Sequence, residues 1–221
     1  MIVVPAIIPR TREQMEEEIK KVSRFAPLVQ IDISDGVFTP YPTWPYNGHD
    51  TDYFDALKAE EVGWPCWEDV DIEVHLMVSS PENIVEDWIY TGITSLVVHI
   101  EAVGDMEKII DLCRTHNVAL SIALKPSTDI DTIAPYVADV DCIQCMGSNA
   151  LGRHGVELDE IVFEKIEKLH ELYPERIISV DIGVTEDTAL SLVSAGASKL
   201  IVGSAILDAD DPEEVFHILE R

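Results

Sequence analysis

The chain has 221 residues, 47% of them hydrophobic, a length that a single α/β barrel domain commonly fills around one core. Its 42 acids against 15 bases give a formal charge of -27, which repels nucleic acid and anionic membrane surfaces and argues against polyanionic partners. No apolar run reaches the ~18 residues that span a bilayer, and Met1-Ile2-Val3-Val4-Pro5-Ala6 lacks the pattern of a signal peptide, so no membrane association and a cytoplasmic location are expected.

Short β-branched segments alternate with longer helical patterns along the chain, the rhythm of βα units and a parallel sheet. The first strand reads at residues 2–4, and Thr11 with Gln14 resembles a capping box that opens a helix. After a second strand at 28–32 the rhythm breaks. Residues 36–67 carry prolines and aromatics around only a short helical pattern, 52–61, and a loop of that length belongs over the C-terminal mouth of a barrel. The third strand, 72–76, is followed by Ser80 before a helix-starting Pro81, with Gly92 as a stop. Strands follow at 95–98, 119–122, 142–145, 177–180 and 199–202, Gly196 stops a helix before the last of them, and Asp211-Pro212 with Glu214 opens the final one. Eight such units over residues 1–221 predict one (β/α)8 TIM barrel.

Cys142 and Cys145 form a C-x-x-C, which suggests a redox pair or half a zinc site. Within a strand, residues three apart point to opposite faces, so buried, reduced thiols are the expectation instead.

At the strand ends stand Asp32, Ser34 and Asp35, then His75 and Met77, then His99 and Glu101, and later Lys125, Met146 and Asp181. A charge at the end of an apolar strand is costly unless it is paired, hydrogen-bonded or metal-bound. Asp32 and Asp181 therefore mark either loop caps or a reactive centre, and His75 beside them shifts the weight toward a centre.

These segments carry a resemblance. Residues 30–40, Gln-Ile-Asp-Ile-Ser-Asp-Gly-Val-Phe-Thr-Pro, are similar to the H-x-D-x-M-D-G-x-F-x-P segment of the ribulose-phosphate 3-epimerase family. Val74-His75-Leu76-Met77-Val78 with Pro81-Glu82, His99-Ile100-Glu101-Ala102, Ser179-Val180-Asp181-Ile182-Gly183-Val184, and Ala195-Gly196-Ala197 with Val202-Gly203-Ser204-Ala205-Ile206 follow that family's motifs in order. The resemblance implies a barrel of the ribulose-phosphate-binding type and an isomerase of carbohydrate metabolism that interconverts D-ribulose 5-phosphate and D-xylulose 5-phosphate in the pentose phosphate system. It assigns acid and base to Asp32 and Asp181, and a divalent metal (zinc, iron, manganese or cobalt) to Gln30, Asp32, His75 and Asp181. It places Met77, Met146, Asn149, Gly183, Gly203 and Ser204 around the substrate, and it implies a homo-oligomer.

Several positions depart from the pattern. Gln30 stands where the family has histidine, and an amide oxygen is a weaker ligand for zinc-like ions. Ala6 replaces a serine, Ser34 a methionine and Ile182 a glycine, while residues 147–155 replace a glycine-rich loop in which only Asn149 keeps a counterpart. Arg153 and His154 in that loop are either a phosphate grip or a solvent-exposed pair. Three outcomes stay open: the 3-epimerase itself, a relative acting on another sugar phosphate, or a metal-free sugar-phosphate binder.

Overall fold

Eight parallel strands, β1 (Ile2–Ile7), β2 (Leu28–Ser34), β3 (Asp71–Met77), β4 (Ser95–His99), β5 (Ala119–Leu124), β6 (Cys142–Met146), β7 (Ile177–Asp181) and β8 (Lys199–Val202), close into a barrel in chain order. This computed structural model describes residues 1–153 and 155–221; His154 lies outside the described residues. The register sets Asp32 opposite His75, Ser34 opposite Met77, and Met146 opposite Asp181, so the polar strand ends predicted from the sequence meet at one mouth.

Each strand sorts its residues by period two. In β3, Ile72, Val74 and Leu76 join the apolar layer beneath the helices, while Glu73 and His75 make their polar contacts inside the barrel. The outer layer is filled by residues such as Ile7, Met15, Ile19, Leu96 and Phe216, all nearly or fully buried. Each such side chain contributes roughly 1.5–3 kcal/mol of transfer free energy. The two C-x-x-C thiols part as expected. Cys142 donates to Ser179 Oγ at 3.3 Å inside the barrel, Cys145 packs in the outer layer, and burial pushes the Cys145 thiol up to about 12.

The helices are α1 (Arg12–Val22), α2 (Thr51–Lys58), α3 (Val85–Ile89), α4 (Met106–His116), α5 (Ile161–Leu172), α6 (Glu186–Ala195), α7 (Ser204–Leu207) and α8 (Pro212–Leu219). Asp211 caps α8 by accepting from Glu214 N at 3.1 Å, as its sequence signature predicts. The first cap departs from the expected box. Thr11 Oγ1 accepts from Gln14 N, but the Gln14 amide oxygen accepts from Arg10 N at 2.9 Å rather than returning to Thr11. The reciprocal box occurs at α6, where Thr185 and Thr188 satisfy each other's backbone N–H. Ser80 supplies no side-chain cap, and Pro81 opens only a 3-10 turn, Pro81–Asn83, before α3.

The fifth crossover also differs from the expected βα rhythm: two 3-10 turns, Ile130–Thr132 and Val137–Asp139, stand in place of an α-helix. Pro126 and Pro135 remove backbone donors on either side of the first turn, which limits continuous helix there. The loop 36–67 divides into two parts. Its first residues, Phe38 to Tyr41, rim the barrel mouth. The rest folds against the side of the barrel, where Trp44 sits among Tyr53, Phe54, Trp64 and Trp88 with ring centroids 5.9–6.2 Å away. No helix among the described residues is long and apolar enough to cross a membrane.

Candidate active site

At the C-terminal mouth, Asp32 from β2, His75 from β3 and Asp181 from β7 converge, with one donor atom from each lying within 4.8 Å of the others. His75 is fully buried, and both aspartates are 6% exposed at the floor of a cavity. His75 Nδ1 lies 3.0 Å from Asp32 Oδ1 and 3.5 Å from Asp181 Oδ2. Burial by itself would lower the His75 imidazolium, but the hydrogen bond to the Asp32 carboxylate and the charges of Asp32 and Asp181 raise it overall. Asp181 is raised to about 7, first by burial and then by the charge of Asp32, against the opposing pull of His75 and Gln30.

Gln30 lies beneath the pair. Its Nε2 donates to Asp32 Oδ1 at 2.8 Å and approaches Asp181 Oδ2 at 3.4 Å, whereas its buried Oε1 has no hydrogen-bond partner. Gln144 completes the floor: Nε2 donates to Asp181 Oδ2 at 3.3 Å, and Oε1 accepts from Ser179 Oγ at 3.3 Å. No motif marks Gln144, although the β6 alternation that buries Met146 in the barrel also places Gln144 there.

The loop-cap alternative fits Asp35. Its Oδ1 accepts from Val37 N and Phe38 N at 2.8 and 2.9 Å, and its Oδ2 from Ser79 N at 2.8 Å. Asp32 instead meets the side chains of Gln30 and His75.

Behind His75 runs a second set of polar contacts. His75 Nε2 lies 3.0 Å from His99 Nε2, His99 Nδ1 lies 3.1 Å from Glu101 Oε2, and Glu101 Oε1 accepts from Lys125 N at 2.7 Å and from the Thr128 hydroxyl. Burial pushes His99 down to about 4 despite its bond to Glu101. Burial would raise Glu101, yet its bonds to His99, Lys125 N and Thr128 hold it at about 2.

Above the floor, a cavity of about 110 Å³ is lined by Met77, Met146, Gly183, Gly203, Ser204 and Arg153, with Ala6 and Ile182 also in its wall. Asn149 is not part of it. The Asn149 side chain accepts from Ser127 Oγ at 2.7 Å and faces a separate depression with Phe38 and Lys125. Ile182 holds φ +79°, a region costly for a β-branched residue, at the position where the resemblance calls for glycine. The neighbouring strand end approaches it closely, and only glycine fits there, since a Cβ at Gly147 would sit 2.0 Å from the Ile182 carbonyl oxygen.

The donor set fits a divalent cation. Two carboxylates and one imidazole nitrogen converge in a buried site, and the unpartnered amide oxygen of Gln30 would become a fourth donor if the amide turned over.

A sequence profile described as the Ribulose-phosphate 3 epimerase family matches residues 2–207. A ribulose-phosphate 3-epimerase of Bacillus subtilis (strain 168) is 29% identical over 215 residues, which is 95% of this chain and 93% of that protein. The chloroplastic ribulose-5-phosphate-3-epimerase of Arabidopsis thaliana is 32% identical over 227 residues, covering 97% of this chain and 74% of its own. Among solved structures, KGPDC from Streptococcus mutans in complex with D-R5P superposes with a TM-score of 0.73 at 11% identity, over 99% of this chain and 94% of that one.

Proposed function

The chain belongs to the ribulose-phosphate 3-epimerase family, and on that footing we propose that it interconverts D-ribulose 5-phosphate and D-xylulose 5-phosphate. The convergence of Asp32 and Asp181 on one buried floor carries this reading. Inverting a carbon next to a carbonyl requires a base on one face, an acid on the other and stabilisation of the enediolate between them. Burial and the charge of Asp32 raise Asp181, which suits the two carboxylates to sharing one proton. In one direction Asp32 then takes the C3 proton while Asp181 delivers one from the opposite face, and the reverse reaction exchanges the roles. Met77 and Met146, nearly fully buried, cover the reacting carbon with an apolar surface that keeps water from reprotonating it.

Asp32, His75 and Asp181 would hold the divalent ion, with Gln30 as the weaker fourth donor; when bound, the ion polarises the substrate's oxygens. The phosphate end faces Gly183, Gly203 and Ser204, and Arg153, which also lines the cavity, supplies local positive charge for an anion that a chain of formal charge -27 otherwise repels.

The test is solvent-deuterium exchange into C3 of ribulose 5-phosphate, read by NMR after chelator quench, with protein supplemented in turn with zinc, iron, manganese or cobalt. Exchange with at least one metal is expected. Its absence with all four would remove this substrate assignment and leave a binding role or another sugar phosphate.

A second reading keeps the chemistry and changes the sugar. The cavity shares Ile8, Gly152, Arg153 and Ser204 with a wider cleft of about 1080 Å³ that also takes in Arg10, Asn47 and His49, so a longer sugar phosphate has room to extend. Exchange on a hexulose phosphate that exceeds exchange on ribulose 5-phosphate would select this reading.

Gln30→His, which puts imidazole in place of the amide, is expected to tighten zinc binding by roughly tenfold or more. Competition with a chromophoric chelator measures it. Unchanged affinity would mean that this position lies outside the ion's shell.

A further inference from the structure

Both ring nitrogens of His75 are engaged, and the partner of one decides what the other can do. His75 is fully buried, with Nδ1 toward Asp32 and Asp181 and Nε2 3.0 Å from His99 Nε2. Two imidazole nitrogens at that distance share a single proton. On its far side His99 faces Glu101, whose oxygens accept from the Lys125 N–H and the Thr128 hydroxyl as well. A carboxylate so occupied has no proton to give, so His99 Nδ1 supplies the proton of that bond. His75 faces two carboxylates and His99 only one, so the single proton between the two rings belongs to His75. That placement leaves His75 Nδ1, which faces the two carboxylates, as the nitrogen that a divalent cation would meet.

We propose that Glu101 and His99 are positioning residues that fix His75 as the Nε2–H form and so open its Nδ1 to a divalent cation. The inference rests on the reading that Asp32, His75 and Asp181 hold such an ion. Without the relay, the His75 proton would be best placed on Nδ1, donating to Asp32 and closing the site. The relay is anchored from outside the barrel. Lys165 of α5 donates from Nζ to the Lys125 carbonyl at 2.7 Å and to the Thr128 carbonyl, which fixes the loop that holds Glu101.

Two measurements on the full chain test this. Long-range ¹H–¹⁵N NMR assigns the histidine protons in the metal-free and zinc-loaded protein, and the expected result in both is a proton on His75 Nε2. A proton on His99 Nε2 in its place, or zinc bound through His75 Nε2, overturns the proposal. Calorimetric titration with Zn²⁺ compares wild type with His99→Phe, Glu101→Leu and Glu101→Gln. The first two are expected to lose roughly 10–100-fold in affinity, and Glu101→Gln, which keeps an acceptor for His99, to lose less. Folded variants that bind zinc as tightly as wild type would also overturn it. If wild type binds no zinc, the cation reading fails by itself, while the metal-free NMR still decides the proton's position. That spectrum needs no variant to fold.

Discussion

Asp32→Asn and Asp181→Asn are each expected to slow interconversion of the two pentulose phosphates by roughly 10²–10⁴-fold, the range supplied by a positioned acid or base. Asparagine keeps the shape of the side chain and much of its hydrogen bonding but removes a carboxylate from the ion's donor set, so metal content measured on each variant separates lost proton transfer from lost ion. Gln30 Nε2 and Gln144 Nε2 both point at these carboxylates, and each amide would turn to meet the new side chain, which favours a folded variant. The two variants should also differ in a diagnostic way. If the aspartates serve opposite faces, the surviving one still removes a proton from one epimer. Slow deuterium wash-in then persists into ribulose 5-phosphate in one variant and into xylulose 5-phosphate in the other. Interconversion within tenfold of wild type in either variant, with thermal unfolding unchanged, would end the two-aspartate mechanism.

Much of the barrel is visible in the sequence because a short apolar, β-branched run between helical patterns is a local property, and each of the eight units begins with one. The strand ends were legible for the same reason: a charge such as Asp32 or Asp181 that closes an apolar run stands out wherever the fold brings it. The fifth crossover was not, since counting units by their strands says nothing about whether Pro126 and Pro135 allow a helix between two of them. The split of loop 36–67 was hidden as well. Only the packing of Trp44 against Trp64 and Trp88, 20 and 44 residues away in sequence, shows which half leaves the mouth. Asn149 illustrates the limit of motif transfer: its counterpart position exists, yet its side chain turns to Ser127 instead of the cavity above the aspartates. The relay from His75 to Glu101 combines residues whose strand positions were evident with a connection that depends on the barrel's register and closure.

The largest expected loss of stability lies at the opposite end of the lumen. Lys199 Nζ donates to both oxygens of Glu73 at 2.7 Å, Ser95 Oγ donates to Glu73 Oε2 at 3.0 Å, and the two side chains are 7% and 2% exposed. Apolar layers usually fill a barrel of this kind, so an ion pair here gains most of its worth from being complete. Lys199→Met removes the cation and leaves Glu73 buried with only a hydroxyl partner. The expected cost is about 3–5 kcal/mol, a large share of the roughly 5–15 kcal/mol that holds an ordinary domain folded. Glu73→Gln with Lys199→Met removes both charges and keeps an acceptor for Ser95. The double variant is therefore expected to recover most of the loss, because the penalty arises from an unpaired buried charge rather than from a missing attraction. Urea unfolding of the four proteins in the cycle measures this, provided the slope against denaturant stays constant. Single losses that simply add in the double variant would show that the pair is uncoupled and that each side chain matters only for the space it fills.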